Sequence, residues 1–253
     1  PRVRRQRQMC IRDRTTGDIS VRDLSYVEAD RYQFGVVVSR VSDASVGSIY
    51  VDGITYGETT GYTSGQVRND SGGIKIQSTT FADTLSTLTA KNITSNDTDT
   101  RLGYTGINMA NSTASAARVV VDSIQSKGET ITTEGLSLTS SILGYGSVLV
   151  NNITSGGDAY GLQTSGSSTL TGLADTDQAV IVTNIEGTRA YGVSTSRTQN
   201  TALTGKQLWI ENVTATGGSR SDDGDAVGLE VGSKVAFDNV TIKSVQGTKG
   251  VTG

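Results

Sequence analysis

Histidine is absent from this sequence of 253 residues, and cysteine and proline occur once each. The missing histidine excludes Ser-His-Asp and Cys-His nucleophile systems and histidine-ligated metal sites, and a lone cysteine excludes an internal disulfide. Aromatic residues make up only 5% of the chain, and no apolar run approaches the ~20 residues that a membrane-spanning helix needs. The sequence therefore predicts a protein that is not an enzyme, with no catalytic residue, metal site, cofactor or membrane span.

The residues that are abundant are glycine, with 31 copies, and the small polar residues serine, threonine and asparagine. Residues 1–14 hold six of the 22 basic residues and one of the 25 acidic ones, which leaves 16 and 24 in the remainder, a net charge of −8. A surface of this sign repels the phosphate backbone of nucleic acids. We therefore predict no nucleic-acid partner.

A four-residue pattern recurs eight times: an apolar residue, two polar or small residues, and a second apolar residue. The copies are VRDL (21–24), VDGI (51–54), AKNI (90–93), VDSI (121–124), VNNI (150–153), VTNI (182–185), IENV (210–213) and FDNV (237–240). Successive copies lie 27 to 39 residues apart, a spacing typical of solenoid proteins.

A second pattern, glycine followed by an aliphatic residue, alternates with the first. Its copies are GVVV (35–38), GIKI (73–76), GINM (106–109), GLSL (135–138), GLQT (161–164), GVST (192–195), GLEV (228–231) and GVTG (250–253). A third segment follows in several repeats, as at 168–172 and 201–205. Short runs of Val, Ile, Leu and Thr between Gly, Asn, Asp and Ser predict strands. We predict an all-β fold, a right-handed parallel β-helix of about eight coils of roughly 30 residues, with three short strands per coil.

The two apolar residues of the tetrapeptide are three positions apart, so a straight strand would point them to opposite faces. A sharp bend returns both to the interior, and Asn, Gly, Ser or Asp precedes the second apolar residue, as a left-handed backbone requires. We predict a bend here and a ladder of stacked amides formed by Asn92, Asn152, Asn184, Asn212 and Asn239. Four of them begin glycosylation sequons, which we interpret as a consequence of the coil geometry.

Two tyrosines, Tyr56 and Tyr62, are the predicted binding residues. They lie in the longest variable segment, 55–72, where a ring is placed to stack on a sugar or a partner protein. Tyr160 and Tyr191 occupy matching places before a glycine in two successive repeats. That arrangement predicts a stacked pair on the surface instead.

Two short segments resemble functional motifs. Asp222, Asp223 and Asp225 crowd one loop and could ligate Ca²⁺, but their spacing matches neither the EF-hand loop nor the nonapeptide repeat, which favours a solvated acidic loop. The segment NDSGG (69–73) resembles the nucleophile loop of trypsin-like proteases. Without a histidine we interpret it as a glycine-rich turn.

The phrases VLVNNITSGGDAYGLQTSG (148–166), AVIVTNIEGTRAYGVSTS (179–196) and IENVTATGGSRSDDGDAVGLEVGS (210–233) resemble the passenger domains of Gram-negative autotransporters. The likeness covers most of residues 15–253 and is architectural. It implies secretion, display on the cell surface of a Gram-negative bacterium, and a carboxy-terminal β-barrel in the full-length protein. It further implies a non-catalytic adhesin or stalk whose partner is a host or bacterial surface ligand, a protein or a glycan.

An alternative is a polysaccharide-active β-helix, either a pectinase-like hydrolase or a tailspike depolymerase. The phrases FDNVTIKS (237–244) and SDDGDAVG (221–228) resemble parts of polygalacturonase-type β-helices. Such enzymes need carboxylates clustered on one face for general acid and base catalysis. A purely structural repeat, such as an S-layer segment, is a third possibility.

Residues 1–14 differ from the rest of the chain, since they contain its only proline and its only cysteine. They lack the apolar core of a signal peptide, and the acidic body argues against a nucleic-acid-binding arm. Residues 4–14, RRQRQMCIRDR, match one reading frame of a transposon-based sequencing adapter without a mismatch. We therefore interpret residues 1–14 as a non-native, adapter-derived segment and residues 15–253 as a β-helix fragment open at both ends.

Overall fold

The computed structural model describes residues 9–11, 17–26, 33–58, 69–98, 102–129, 131–196, 201–218 and 223–252. These residues form strands and turns without a helix, which confirms the all-β prediction. In chain order the strands are β1 (Met9–Ile11), β2 (Ile19–Tyr26), β3 (Phe34–Ser39), β4 (Ser48–Tyr56), β5 (Asn69–Gln77), β6 (Thr80–Ser95), β7 (Leu102–Ala110), β8 (Thr113–Ser126), β9 (Thr133–Thr139), β10 (Ile142–Ser155), β11 (Asp158–Ser165), β12 (Thr169–Gly172), β13 (Ala179–Gly187), β14 (Arg189–Thr195), β15 (Ala202–Ala215), β16 (Asp225–Glu230), β17 (Lys234–Gly247) and β18 (Gly250–Thr252).

Two parallel sheets contain these strands. The first has the order β1-β3-β5-β7-β9-β11-β14-β16-β18, and the second has the order β12-β15-β13-β10-β8-β6-β4-β2, with β17 on the outer side of β15. Because the chain alternates between the two sheets, the strands stack as a parallel β-solenoid of about 6 turns. The predicted solenoid of parallel strands is confirmed, whereas the count of eight coils stays a prediction.

The prediction of three short strands per coil is not confirmed. In β6, β8, β10, β15 and β17 the third segment and the tetrapeptide belong to one strand of 14 to 16 residues. The pairing of β10 with β8 resumes at Ser147 immediately after Gly146, so no loop separates the two parts. β12 and β13 are separate strands, because residues 173–178 lie between them.

The predicted bend in the tetrapeptide is confirmed. The backbone is left-handed at the expected position in seven of the eight predicted copies, with φ of 51° at Asp23, 75° at Gly53, 52° at Asn92, 59° at Ser123, 55° at Asn152, 58° at Asn184 and 58° at Asn212. In the last strand the left-handed residue is Ser244, with φ of 54°. Both apolar residues then face the core, as the complete burial of Val150 and Ile153 illustrates.

The last strand of the second sheet corrects one member of the predicted ladder. Asn239 pairs with Gln207 and does not have the left-handed backbone of the bend. Ser244 is the residue in register with Asn212, so the eighth tetrapeptide is IKSV (242–245) instead of FDNV. Both fit the apolar–polar–polar–apolar rule, and only the strand pairing separates them. The prediction for Asn239 is wrong.

Seven of the glycine–aliphatic copies align in the first sheet, at Gly35, Gly73, Gly106, Gly135, Gly161, Gly192 and Gly228. A Cβ on Gly135 would lie 2.5 Å from Cγ1 of Val150 and 3.2 Å from Cδ1 of Ile153. The side chains of the bend tetrapeptide therefore occupy the space that a side chain would need. The eighth predicted copy, GVTG, is out of register, because its Gly250 pairs with Asp225 and not with Gly228.

A second corner, which the sequence analysis did not predict, precedes the third segment in four successive repeats. The backbone is again left-handed there, with φ of 59° at Arg40, 50° at Ser78, 50° at Asn111 and 48° at Ser140. The hydroxyl residues that follow are at most 3% exposed and form a column, here called the hydroxyl ladder: Thr79, Ser112, Ser141, Ser168 and Thr201.

Hydrogen bonds connect successive members of the hydroxyl ladder. The backbone N–H of Thr79 donates to Oγ of Ser112, and the N–H of Ser112 donates to Oγ of Ser141, both at 3.1 Å. The N–H of Ser141 donates to Oγ of Ser168 at 3.3 Å. The ladder thus satisfies buried backbone donors at a corner where regular strand pairing is interrupted.

The chain near its start also contributes to the first sheet, since β1 pairs with β3 through Met9 and Val36. This pairing does not test the interpretation of residues 1–14 as adapter-derived, which stays a prediction. The described residues contain no apolar helix of the length needed to cross a membrane.

Candidate functional site

Tyr56, one of the two predicted binding residues, lies in the core and not in a variable loop. It is the last residue of β4 and is fully buried, with 0% exposure, because it follows Ile54 by two positions and faces the same interior. Its hydroxyl lies 2.7 Å from the carbonyl oxygen of Gln33 and accepts a hydrogen bond from the N–H of Gly72 at 3.1 Å. Tyr62, the other predicted binding residue, lies outside the described residues.

A stack of tyrosines inside the coil explains the position of Tyr56. Its ring is parallel to that of Tyr26, with centroids 5.1 Å apart, and tilted by 50° toward that of Tyr104 at 5.2 Å. Burial raises the pKa of Tyr26 to about 12 and the pKa of Tyr56 well above its ordinary value. These tyrosines are therefore neutral packing elements of the core.

The predicted surface pair of Tyr160 and Tyr191 is confirmed. The ring centroids are 4.7 Å apart and the rings are within 8° of parallel, so each ring covers one face of the other. Beside them Nε of Arg189 donates to Oδ1 of Asp158 at 2.9 Å. Burial raises the pKa of Tyr160. The two ring faces that meet are therefore not available to stack on a sugar ring.

The two motif-like segments do not form the predicted features. Ser71 of NDSGG is fully buried within β5, so the prediction of a turn there is wrong: the segment pairs with β7 along its length. In the acidic segment, Asp222 lies outside the described residues, Asp225 belongs to β16, and Asp223 is only 3% exposed, which contradicts a fully solvated loop. Among the residues that the structure describes, no group of three or more His, Cys, Asp or Glu could hold a metal ion.

The predicted amide ladder forms only in part along the outer corner of the second sheet, because among its predicted members only Asn184 and Asn212 are hydrogen-bonded to each other. Nδ2 of Asn184 donates to Oδ1 of Asn151 at 2.8 Å, and Nδ2 of Asn212 donates to Oδ1 of Asn184 at 2.9 Å. Thr183 also donates to Oδ1 of Asn151 at 2.8 Å. Side-chain amides therefore connect three successive strands, β10, β13 and β15.

In the preceding strands carboxylates replace amides as acceptors. Nδ2 of Asn92 donates to Oδ1 of Asp52 at 2.7 Å, and Nδ2 of Asn152 donates to Oδ1 of Asp122 at 3.0 Å. The acceptors lie one position before the bend, in the adjacent column. Asn92, Asn152 and Asn212 begin sequons, yet their amide groups already take part in the ladder, which supports the interpretation that the sequons follow from the fold.

Two outward-facing columns run along the second sheet next to this corner. The middle column takes one residue from each strand, the outward residue between the two inward residues that precede the bend. It consists of Ser20, Tyr50, Thr89, Val120, Leu149, Ile181, Trp209 and Thr241. The charged column lies two positions later and consists of Arg22, Asp52, Lys91, Asp122, Asn151, Thr183, Glu211 and Lys243. The sequence analysis found the bend but did not follow these positions, although their register follows from it.

Cations and carboxylates alternate over the first four positions of the charged column, and aromatic rings lie beside them. Oη of Tyr50 donates to Oδ2 of Asp52 at 2.7 Å, and the guanidinium carbon of Arg22 lies 4.9 Å from the centroid of the Tyr50 ring. The hydrogen bonds from Tyr50 and then from Asn92 lower the pKa of Asp52 below its ordinary value.

The same arrangement recurs at the other end of the sheet. Nε1 of Trp209 donates to Oε2 of Glu211 at 3.0 Å, and Nζ of Lys243 lies 4.3 Å from the centroid of the Trp209 ring. In both cases the aromatic residue contacts a carboxylate two positions later in its own strand. It also contacts a cation from an adjacent strand of the same sheet. An apolar stretch lies between the two clusters in the middle column: Leu149 and Ile181 are half-buried, and Val120 is only 4% exposed. This outer face is the candidate functional site.

No protein-family model matches this sequence, and neither a curated protein nor a solved structure is similar enough to count as a match. The candidate site is therefore assigned from its own geometry alone.

Proposed function

We propose that the chain is a rod-like segment of a secreted autotransporter passenger, displayed on the surface of a Gram-negative bacterium as a non-catalytic adhesin or stalk. The observation that carries the proposal is the unbroken stacking of parallel strands, with both corners held by repeated polar ladders. Such a stack separates its two ends by a fixed distance, at ~4.8 Å per coil. In this proposal the coil is right-handed, as parallel crossover connections are, and eight repeats make eight coils.

The surface chemistry supports a role in display and binding. The carboxylates of Asp52, Asp122 and Glu211 accept hydrogen bonds within the ladders and the aromatic clusters. General acid and base catalysis needs carboxylates held near a bound substrate with separated pKa values. Carboxylates used as structural acceptors suit a stable surface, which is what a stalk or an adhesin presents to a host or bacterial ligand.

The reading frame around the coding region tests the proposal directly. Sequencing of the locus should show the frame continuing past Gly253 into a segment that encodes a β-barrel of alternating apolar and polar residues. It should also replace the codons for residues 1–14 with further repeats or with a passenger amino end. A stop codon directly after Gly253, combined with a start codon that gives a cytoplasmic protein, would contradict the proposal.

Incubation with polysaccharides separates the proposal from a polysaccharide-active β-helix. Purified protein incubated with a panel of acidic polysaccharides should leave their chain lengths unchanged in size-exclusion chromatography. Beads coated with the protein should nevertheless adhere to host cells or to bacterial surfaces more than uncoated beads do. Depolymerisation of any member of the panel would favour the hydrolase or depolymerase instead.

A further inference from the structure

We propose that the outer face of the second sheet binds the same face of a second copy of the chain. The two copies are related by a two-fold axis that runs along the strand direction over β10. Such an axis keeps the strands of both copies pointing the same way and reverses the order in which they stack. Each outward column therefore faces itself in the partner, in reverse order.

The charged column determines this register. With the axis over β10, Asn151 faces its own counterpart, Lys91 faces Glu211, and Asp52 faces Lys243. Asp122 faces Thr183, which is uncharged. Because the axis is two-fold, each of the two opposite-charge pairs occurs twice in the dimer, and no like charges face each other in this column.

The neighbouring registers are unfavourable. An axis placed midway between β8 and β10 would oppose Arg22 with Lys243 and Asp52 with Glu211. An axis placed midway between β10 and β13 would oppose Lys91 with Lys243 and Asp122 with Glu211. Either shift therefore opposes two pairs of like charges, and like charges placed together across an interface select against a pairing. The charge order thus selects the axis over β10 from the adjacent alternatives.

The middle column agrees with the same axis. Leu149 faces its own counterpart, and Ile181 faces Val120, which is already buried within one copy. Leu149 and Ile181 are therefore the apolar side chains that the partner covers. Thr89 faces Trp209, an aromatic residue of the type enriched at protein interfaces. On the other flank Arg118, the charged residue of the column that contains Ser147, faces Ala179. The apolar stretch is therefore central, and charged pairs lie toward both ends.

The area is sufficient for a specific interface. Seven strands from β4 to β17 extend ~34 Å along the stack, and the five flat residues before the bend extend ~16 Å along each strand. One copy therefore covers ~540 Å², and both together ~1,100 Å², slightly above the ~1,000 Å² that a specific interface needs. The expected product is a dimer of moderate affinity that weakens as salt screens its ion pairs.

Cross-linking tests the axis. In a Cys10→Ser background, Asn151→Cys places a thiol over the axis, whereas Gln163→Cys places one outward on the first sheet as a matched control. A short bismaleimide should convert the Asn151→Cys protein, but not the Gln163→Cys protein, into covalent dimers. Equal cross-linking of both variants, or a monomer in sedimentation equilibrium with no cross-linking at Asn151→Cys, would overturn the proposal.

A charge exchange tests the register. Lys91→Glu and Glu211→Lys should each weaken dimerisation more than about tenfold, since each opposes like charges twice. The double variant should recover most of the affinity, because the exchanged charges face each other again. Thermal unfolding of each variant at a concentration where it is monomeric separates loss of folding from loss of binding, and Leu149→Arg provides a second disruption at the axis. A double variant that binds no better than either single one would overturn the register.

Discussion

The two corners of the coil both contain left-handed residues, but exposed side chains stabilise one corner and buried side chains stabilise the other. At the bend of the second sheet the side chains of Asn184 and Asn212 are exposed and hydrogen-bond to each other along the outside. At the other corner Ser112 and Ser141 are buried, and their hydroxyls accept hydrogen bonds from the backbone of the preceding coil. Water can replace the partners of the exposed ladder but not those of the buried one, so the hydroxyl ladder should tolerate less change.

Removal of one hydroxyl from the buried corner should have the largest effect. Ser112→Ala leaves the backbone N–H of Thr79 without its acceptor and also removes a hydrogen bond to the carbonyl oxygen of Ala110. We expect the free energy of unfolding to fall by about 1–3 kcal/mol, measured by urea denaturation. Ser115→Ala, on the outward side of β8, is the control and should change it by less than about 0.5 kcal/mol. Equal losses would mean that the corners do not differ in this way.

At the exposed corner the backbone conformation should matter more than the amide. Alanine, unlike asparagine, has no polar side chain that could stabilise the left-handed backbone by a local hydrogen bond. Asn152→Ala should therefore lower the free energy of unfolding by about 1–2 kcal/mol. Asn152→Gly adopts the left-handed backbone without strain and loses only the part-buried hydrogen bond to Asp122, so its cost should be smaller. Urea denaturation of both variants checks this order, and a glycine variant less stable than the alanine variant would contradict it.

The position of the corner in the last strand can be tested in the same way. Ser244→Gly should raise the free energy of unfolding by about 1 kcal/mol, because glycine adopts the left-handed backbone of Ser244 without the penalty that a Cβ residue pays. Asn239→Gly should instead lower it by about 0.5–1 kcal/mol, because Asn239 lies in an ordinary strand position. Urea denaturation of both variants measures the two effects, and the reverse signs would restore FDNV as the bend tetrapeptide.

The smallest expected effect is on how the stability of the fold depends on pH. The folded-state pKa of Asp52 lies below its ordinary value of 3.8, so its contribution to stability is present above that value and is lost as the pH falls through the lower folded-state pKa. Screening by solvent keeps this contribution below about 1 kcal/mol. Asp52→Asn should therefore reduce the loss of stability between pH 5 and pH 2, measured by thermal unfolding at each pH. An unchanged pH dependence would show that the hydrogen bonds from Tyr50 and Asn92 do not stabilise the carboxylate.

The period of the repeat and the chemistry of the bend could be predicted from the sequence, because apolar spacing and left-handed residues leave a direct pattern. Tyr56 was assigned to a loop because the alternation that places it inward resumes only after the bend. Asn239 was misassigned because two overlapping tetrapeptides satisfy the same rule. The hydroxyl ladder was not predicted, because serine and threonine are common throughout this chain and do not distinguish the corner positions from others. The facing columns required the register of every strand, which only the pairing supplies.

Distances between labels along the stack test the central claim, the in-register parallel solenoid, most directly. Spin labels on cysteines at Asn92 and Asn212, in a Cys10→Ser background, are separated by four strand spacings, or ~19 Å between Cα atoms at ~4.8 Å each. Labels at Asp23 and Asn212 are separated by six, or ~29 Å. Pulsed electron spin resonance should therefore give a second distance longer than the first by about half. Equal distances, or a first distance longer than the second, would contradict the account.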